Sequence, residues 1–154
     1  MKACTVAAAI RTGNGFPIFM ALCLLLSSPG AARAINVYWT NTAGGNWSIA
    51  TNWSPNSVPM FFHDVFITND GEYTVVIDVF NPQIGSLTVG SASGPQFVTV
   101  SNTANPLQVF GNCNIRAYGV LATGTGTTLR LGATTVSGIL NLGGAVTTGT
   151  ITVM

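Results

Sequence analysis

A chain of 154 residues with 5 bases, 4 acids and 18 glycines is sized for one domain. Its low charge is paired with 47% apolar residues, which excludes a disordered polyelectrolyte tract. No cluster of Lys and Arg occurs, so nucleic acid is excluded as a partner.

The first predicted element is a targeting signal over residues 1–34. Lys2 and Arg11 open it, FPIFMALCLLL (16–26) is an apolar run of signal-peptide length, and Ala32-Arg33-Ala34 is a small-x-small cleavage pattern. The run is shorter than the roughly 20 residues that span a bilayer. The expected location is therefore outside the cell or on its surface, of Gram-negative bacterial type. Membrane contact is expected only through the signal or through an anchor beyond the C-terminus. Cleavage after Ala34 leaves Arg116 and Arg130 against Asp64, Asp70, Glu72 and Asp78, a net charge of 2 − 4 = −2. Of the 3 cysteines only Cys113 remains, so stability must come from packing and backbone hydrogen bonds rather than a disulfide.

Residues 35–83 are read as an N-terminal cap with the first strands. The stretch GGNWSIATNWS places Asn-Trp-Ser twice, at 46–48 and 52–54. One reading is a glycan platform, with Trp47 and Trp53 stacking on sugar and the Asn46 and Asn52 amides donating hydrogen bonds. The other is an apolar lid built from Trp39, Trp47, Trp53, Phe61 and Phe62. His63-Asp64 is expected at a surface turn or cap. DVFI (64–67) and YTVVIDV (73–79) flank Asn69-Asp70-Gly71, a turn sequence that predicts either a hairpin or a corner of the first coil. In the second of these strands Tyr73, Val75, Ile77 and Val79 share a face opposite to Asp78.

Residues 84–154 repeat an apolar-polar-apolar triplet: LTV (87–89), VTV (98–100), LQV (107–109), CNI (113–115), LRL (129–131), LNL (140–142) and ITV (151–153). Side chains alternate along a strand, so each triplet turns two residues inward and one outward. Leu121 in GVLA marks a weaker strand, and Gly, Ser, Thr, Asn and Pro fill the intervals as turn formers. Such short strands suit stacking, each pairing with its counterpart one coil away while the inward aliphatics form a common column. The expected fold is an all-β, right-handed parallel β-helix with two or three triplets per coil and a Trp-rich N-terminal cap. An antiparallel β-sandwich or barrel is the alternative. In the solenoid, Thr88, Thr99, Gln108, Asn114, Arg130, Asn141 and Thr152 would form outward polar ladders, and the tryptophans would close one open end.

The order Trp39, GNWS (45–48), NWS (52–54), Val58-Pro59, DVFI (64–67), IGSLTVG (84–90) resembles the entry segment of secreted bacterial β-solenoids of the autotransporter-associated β-strand repeat, or passenger-like, type. The resemblance covers about residues 37–154 and implies an extracellular stalk or adhesin-like surface. No barrel, sorting tail or binding module follows, and ITVM stops at a strand, so the chain is expected to be truncated at its C-terminus.

No Asp or Glu occurs from Val79 to Met154, so the triplet face lacks the paired carboxylates of glycoside cleavage and the acidic cluster of a calcium site. One His and one Cys fifty positions apart make no zinc set. Cys113 is expected to be a small buried hydrophobe. The expectation is a structural or adhesin-like segment with no catalysis, cofactor or metal, whose partners are glycans, cell-surface components or its own copies meeting at open solenoid ends. The alternative is the N-terminal part of a larger carbohydrate-active or glycan-binding β-helix.

Overall fold

The computed structural model describes residues 34–101 and 107–154; residues 1–33 of the expected signal lie outside it. Sixteen strands follow one another with a single 3-10 turn, Ala50–Asn52, among the described residues. The first coil holds β1 (Ile35–Trp39), β2 (Gly45–Asn46) and β3 (Trp53–Ser54). The second holds β4 (His63–Ile67), β5 (Tyr73–Ile77) and β6 (Gln83–Ile84). The third holds β7 (Ser86–Val89), β8 (Gln96–Val100) and β9 (Leu107–Val109). The fourth holds β10 (Cys113–Ile115), β11 (Gly119–Thr123) and β12 (Leu129–Leu131). The fifth holds β13 (Thr134–Val136), β14 (Ile139–Leu142) and β15 (Val146–Thr148), and β16 (Ile151–Val153) begins a sixth.

Three sheets result, ordered β16-β13-β10-β7-β4-β1-β3, β14-β11-β8-β5-β2 and β15-β12-β9-β6. Every ladder except that of β1 with β3 joins a strand to the one three places later, in parallel. The chain is thus an all-β parallel solenoid with three strands per coil, and the antiparallel sandwich or barrel is set aside. Coiling begins at Ile35, so the segment 35–83 already contains the first coil and nearly all of the second.

In-register stacking builds the core. Val37, Val65, Leu87, Cys113, Thr134 and Ile151 occupy one inward column of the first sheet, and Val75, Val98, Leu121 and Leu140 one of the second. Each fully buried aliphatic contributes about 1.5–3 kcal/mol. The columns loosen in the last coil, where Ile151 is 44% and Val153 77% exposed while Leu87 and Val89 are fully buried.

Asn69-Asp70-Gly71 is a corner and not a hairpin. β4 and β5 belong to different sheets, and Gly71 takes φ +128, a value that L side chains rarely adopt. Another corner, between the third and first sheets, depends on close approach of stacked backbones. The Gly111 amide donates to the Gly85 carbonyl at 2.6 Å, and a Cβ on Gly111 would lie 2.7 Å from that oxygen.

The first coil departs from the parallel rule. β3 pairs antiparallel with β1, Tyr38 opposite Ser54 and Trp39 opposite Trp53, and so covers the edge that β1 would otherwise present. Trp39, Trp47 and Trp53 are buried there. Trp53 stands edge-on to Trp39 at 4.9 Å and to Trp47 at 4.7 Å between ring centroids. Its Nε1 donates to the Trp47 carbonyl at 2.9 Å, and Trp39 Nε1 to the Asn41 carbonyl at 2.6 Å.

Cys113 is fully enclosed in the first-sheet column, and burial pushes its thiol up to about 12. Because the thiolate is the reactive form, native protein at pH 8 is expected to resist iodoacetamide for as long as it stays folded. Label should enter stoichiometrically once denaturant is added, as read by intact-mass spectrometry; rapid labelling of the folded chain would contradict this packing.

Candidate functional site

The outward side chains decide what the solenoid presents to a partner. The first sheet aligns Tyr38, Phe66, Thr88, Asn114, Thr135 and Thr152 in one column, and Asn36, Asp64 and Ser86 in a second. The second sheet aligns Thr99, Ala122 and Asn141, and the third Gln108, Arg130 and Thr147. The seven expected outward positions therefore fall into separate ladders on three faces.

A groove of about 770 Å³ crosses the first of these faces. Its floor includes Asp64, Ser86, Thr88 and Asn114, and Phe66 also faces it. Phe61, Phe62 and Phe110 form an aromatic rim. Phe61 and Phe62 immediately precede β4, and Phe110 immediately follows β9. The corners between the third and first sheets therefore bring them together from different coils. Phe61 meets Phe62 edge-on at 4.7 Å and Phe110 likewise at 4.7 Å. The rim is nonetheless open to solvent, Phe62 being 56% and Phe110 54% exposed. Tyr38 stacks on Phe66 at 5.0 Å with the rings within 19° of parallel, next to the groove. Arg116, just past β10, also lines it. The charged residues of the lining are thus one acid and one base.

A second depression, about 530 Å³, lies on the third sheet and includes Gln108, Arg130 and Thr147. Phe110 is the one aromatic side chain that borders it. The first-sheet groove combines more ring surface with more convergent polar groups and is the stronger candidate.

The residues singled out from the sequence are dispersed differently. Trp47 and Trp53 are 0% and 1% exposed, so neither offers a ring face to sugar. Asn52 is also buried, its Nδ2 donating to the Asn46 carbonyl at 3.0 Å and its Oδ1 accepting from Asn41 Nδ2 at 3.0 Å. Asn46 is exposed on β2 but is not brought to a second exposed indole. Phe61 and Phe62, grouped with the tryptophans in the expected lid, stand on the outer face instead, because they precede β4 at a corner.

His63 is not a surface residue. It occupies the buried first position of β4, where Nδ1 accepts from the Met60 amide at 3.2 Å. Alternation along β4 turns Asp64 the opposite way, so the two do not form a dyad.

Each aspartate joins its coil to a neighbour. Asp64 accepts from Ser86 Oγ at 2.6 Å. Asp78 accepts from the Ser48 amide at 2.9 Å and its hydroxyl at 2.7 Å. Asp70 accepts from the amides of Ala92 and Ser93 at 3.2 and 3.1 Å. The Ser91 hydroxyl first, and then the amides of Ser93 and Ala92, hold the Asp70 carboxyl below its ordinary value. Among the described residues no group of three His, Cys, Asp or Glu side chains is placed to hold a metal ion.

Sequence reasoning missed the groove because it depends on which coil residues stack upon one another. The available signal was strand alternation: Phe66 takes the outward position of DVFI, and Phe110 falls just beyond the inward Val109. Compared with protein-family models, curated proteins and solved structures, the chain matches none of them.

Proposed function

We propose that this chain is a secreted or surface-displayed structural solenoid of the adhesin-like kind, acting by contact and without catalysis of its own. The observation that carries the reading is the exposed aromatic rim over a polar floor on the first sheet. Exposed rings clustered beside hydrogen-bonding groups mark recognition surfaces on soluble proteins. The aspartates support a non-catalytic role because Asp64, Asp70 and Asp78 all accept hydrogen bonds that tie adjacent coils together. The apolar run 16–26 with Ala32-Arg33-Ala34 supports export, and the resemblance carried by Trp39 through IGSLTVG supports display outside the cell.

The test is to produce the full chain in a Gram-negative host, locate it by fractionation, and measure attachment of beads coated with the exported product to cultured cells. The expected result is an exported chain that starts after Ala34, several-fold more bound beads than uncoated controls, and no release of reducing ends from polysaccharides. Retention in the cytoplasm, or export without attachment, would refute the proposal.

A further inference from the structure

We propose that the first-sheet groove is a binding site for a neutral glycan chain running along the solenoid axis. The proposal rests on the contact role above and names the ligand of the same surface.

The floor lies on the face of a fully paired sheet, where the backbone groups of β4, β7 and β10 are already used in the ladders on both sides. An extended peptide gains affinity chiefly by adding its backbone to a free edge, and this floor offers side chains alone. Those side chains are chiefly the Ser86 hydroxyl, the Asn114 amide and the Asp64 carboxylate, Thr88 being buried. They suit a ligand that carries many hydroxyls around its perimeter. The rim suits the other half of such a ligand: the C–H face of a sugar ring is apolar and can lie on a phenyl ring, which brings large contact area at small entropic cost. Phe61, held edge-on between Phe62 and Phe110, makes that rim a preformed unit.

The ladder sets the direction. Successive rungs lie about 4.8 Å apart, close to the length of one pyranose unit. A chain along the axis therefore meets a new rung with each sugar, with Asp64 and Phe66 on β4, Ser86 on β7, and Asn114 on β10. Charge selects the class. Asp64 and Arg116 cancel, so the groove gives no net attraction to a polyanion, and a uronate chain would place carboxylates beside Asp64.

Binding of soluble hexasaccharides to the exported chain, followed by calorimetry, tests the assignment. The neutral probes are β-linked glucose, xylose, mannose and N-acetylglucosamine hexamers; the acidic probe is a galacturonate hexamer. At least one neutral hexamer is expected to bind more tightly than the acidic one. Phe62→Ala and Phe110→Ala are each expected to weaken it about tenfold. Both side chains are more than half exposed, so the melting temperature should hold, which circular dichroism checks. Phe80→Ala, which removes an exposed ring outside the groove lining, is expected to leave binding within about twofold. The assignment is overturned if no neutral hexamer binds, if both groove variants bind as well as the parent, if the galacturonate hexamer binds more tightly, or if sedimentation shows the rings consumed in a dimer of this chain. Bead attachment measured on Phe110→Ala separates the two proposals: attachment that survives without glycan binding leaves the contact role standing and removes the groove from it.

Discussion

Trp53→Ala is expected to lower the free energy of unfolding by about 3–5 kcal/mol, the range for removing a large aromatic from a packed core. Trp53 is the middle member of the indole trio and touches both Trp39 and Trp47 edge-on. Its removal opens a cavity and also deprives the Trp47 carbonyl of the indole donor, leaving a buried acceptor unpaired. A further consequence concerns the edge. β3 lies antiparallel on β1, and once its anchoring side chain is gone that strand is free to lift and expose β1 to other chains. Urea titration followed by circular dichroism measures the loss, and light scattering above the micromolar range measures the edge exposure. Trp53→Phe, which restores much of the ring but not the N–H, should recover roughly half of the stability. A Trp53→Ala protein within about 1 kcal/mol of the parent would mean that the trio does not hold the first coil.

Gly111→Val is the second large effect, at about 3 kcal/mol, the upper end of the cost of overpacking. The corner backbones at Gly85 and Gly111 are hydrogen-bonded directly above one another, and the Cβ position of Gly111 falls 2.7 Å from the Gly85 oxygen. A backbone oxygen cannot swing away as a flexible side chain can, so the coils themselves must separate at that corner. Gly124→Ala is the matched control. Its Cβ would meet nothing closer than Thr127 Oγ1 at 3.8 Å, and removing glycine's freedom in the unfolded chain should make that variant neutral or more stable by about 0.4–1 kcal/mol. Thermal melts of the two proteins side by side check the prediction; equal losses would show that close approach at Gly111 is unimportant.

The architecture was legible wherever an inward position is aliphatic. All seven apolar-polar-apolar triplets lie on strands, and the weaker GVLA segment lies on β11. β13 and β15 escaped notice because their sequences, TTV and VTT, lack the signature. Thr134 fills the inward site of β13 while remaining buried, and its hydroxyl donates to the Gly132 carbonyl at 3.1 Å. A threonine that supplies its own partner can replace an aliphatic residue in the column without the cost of an unpaired polar group. β6, only two residues long, is too short to carry a period. The groove was less legible for a different reason. Alternation says which way Phe66 and Asn114 point, but the meeting of Phe61 with Phe110 depends on how many residues each coil consumes, and the irregular corners hide that count. The tryptophans were ambiguous from sequence because a ring suited to sugar and a ring suited to a lid are the same ring until its burial is known.

The Asp70 contact gives the stack a localised response to acid. A carboxyl held below its ordinary value in the folded chain, as Asp70 is, stabilises the fold above the unfolded value of about 3.9. That contribution is lost as pH falls through the lower folded value. Asp70 lies at the corner between β4 and β5 of the second coil and reaches forward to the amides of Ala92 and Ser93 in the third. From Val79 to Met154 there is no side-chain carboxylate. Acidification acting through Asp70 therefore loosens one seam, where the corner between β4 and β5 meets the Ser91–Ser93 corner of the third coil, while the later coils are held by aliphatic columns and backbone ladders.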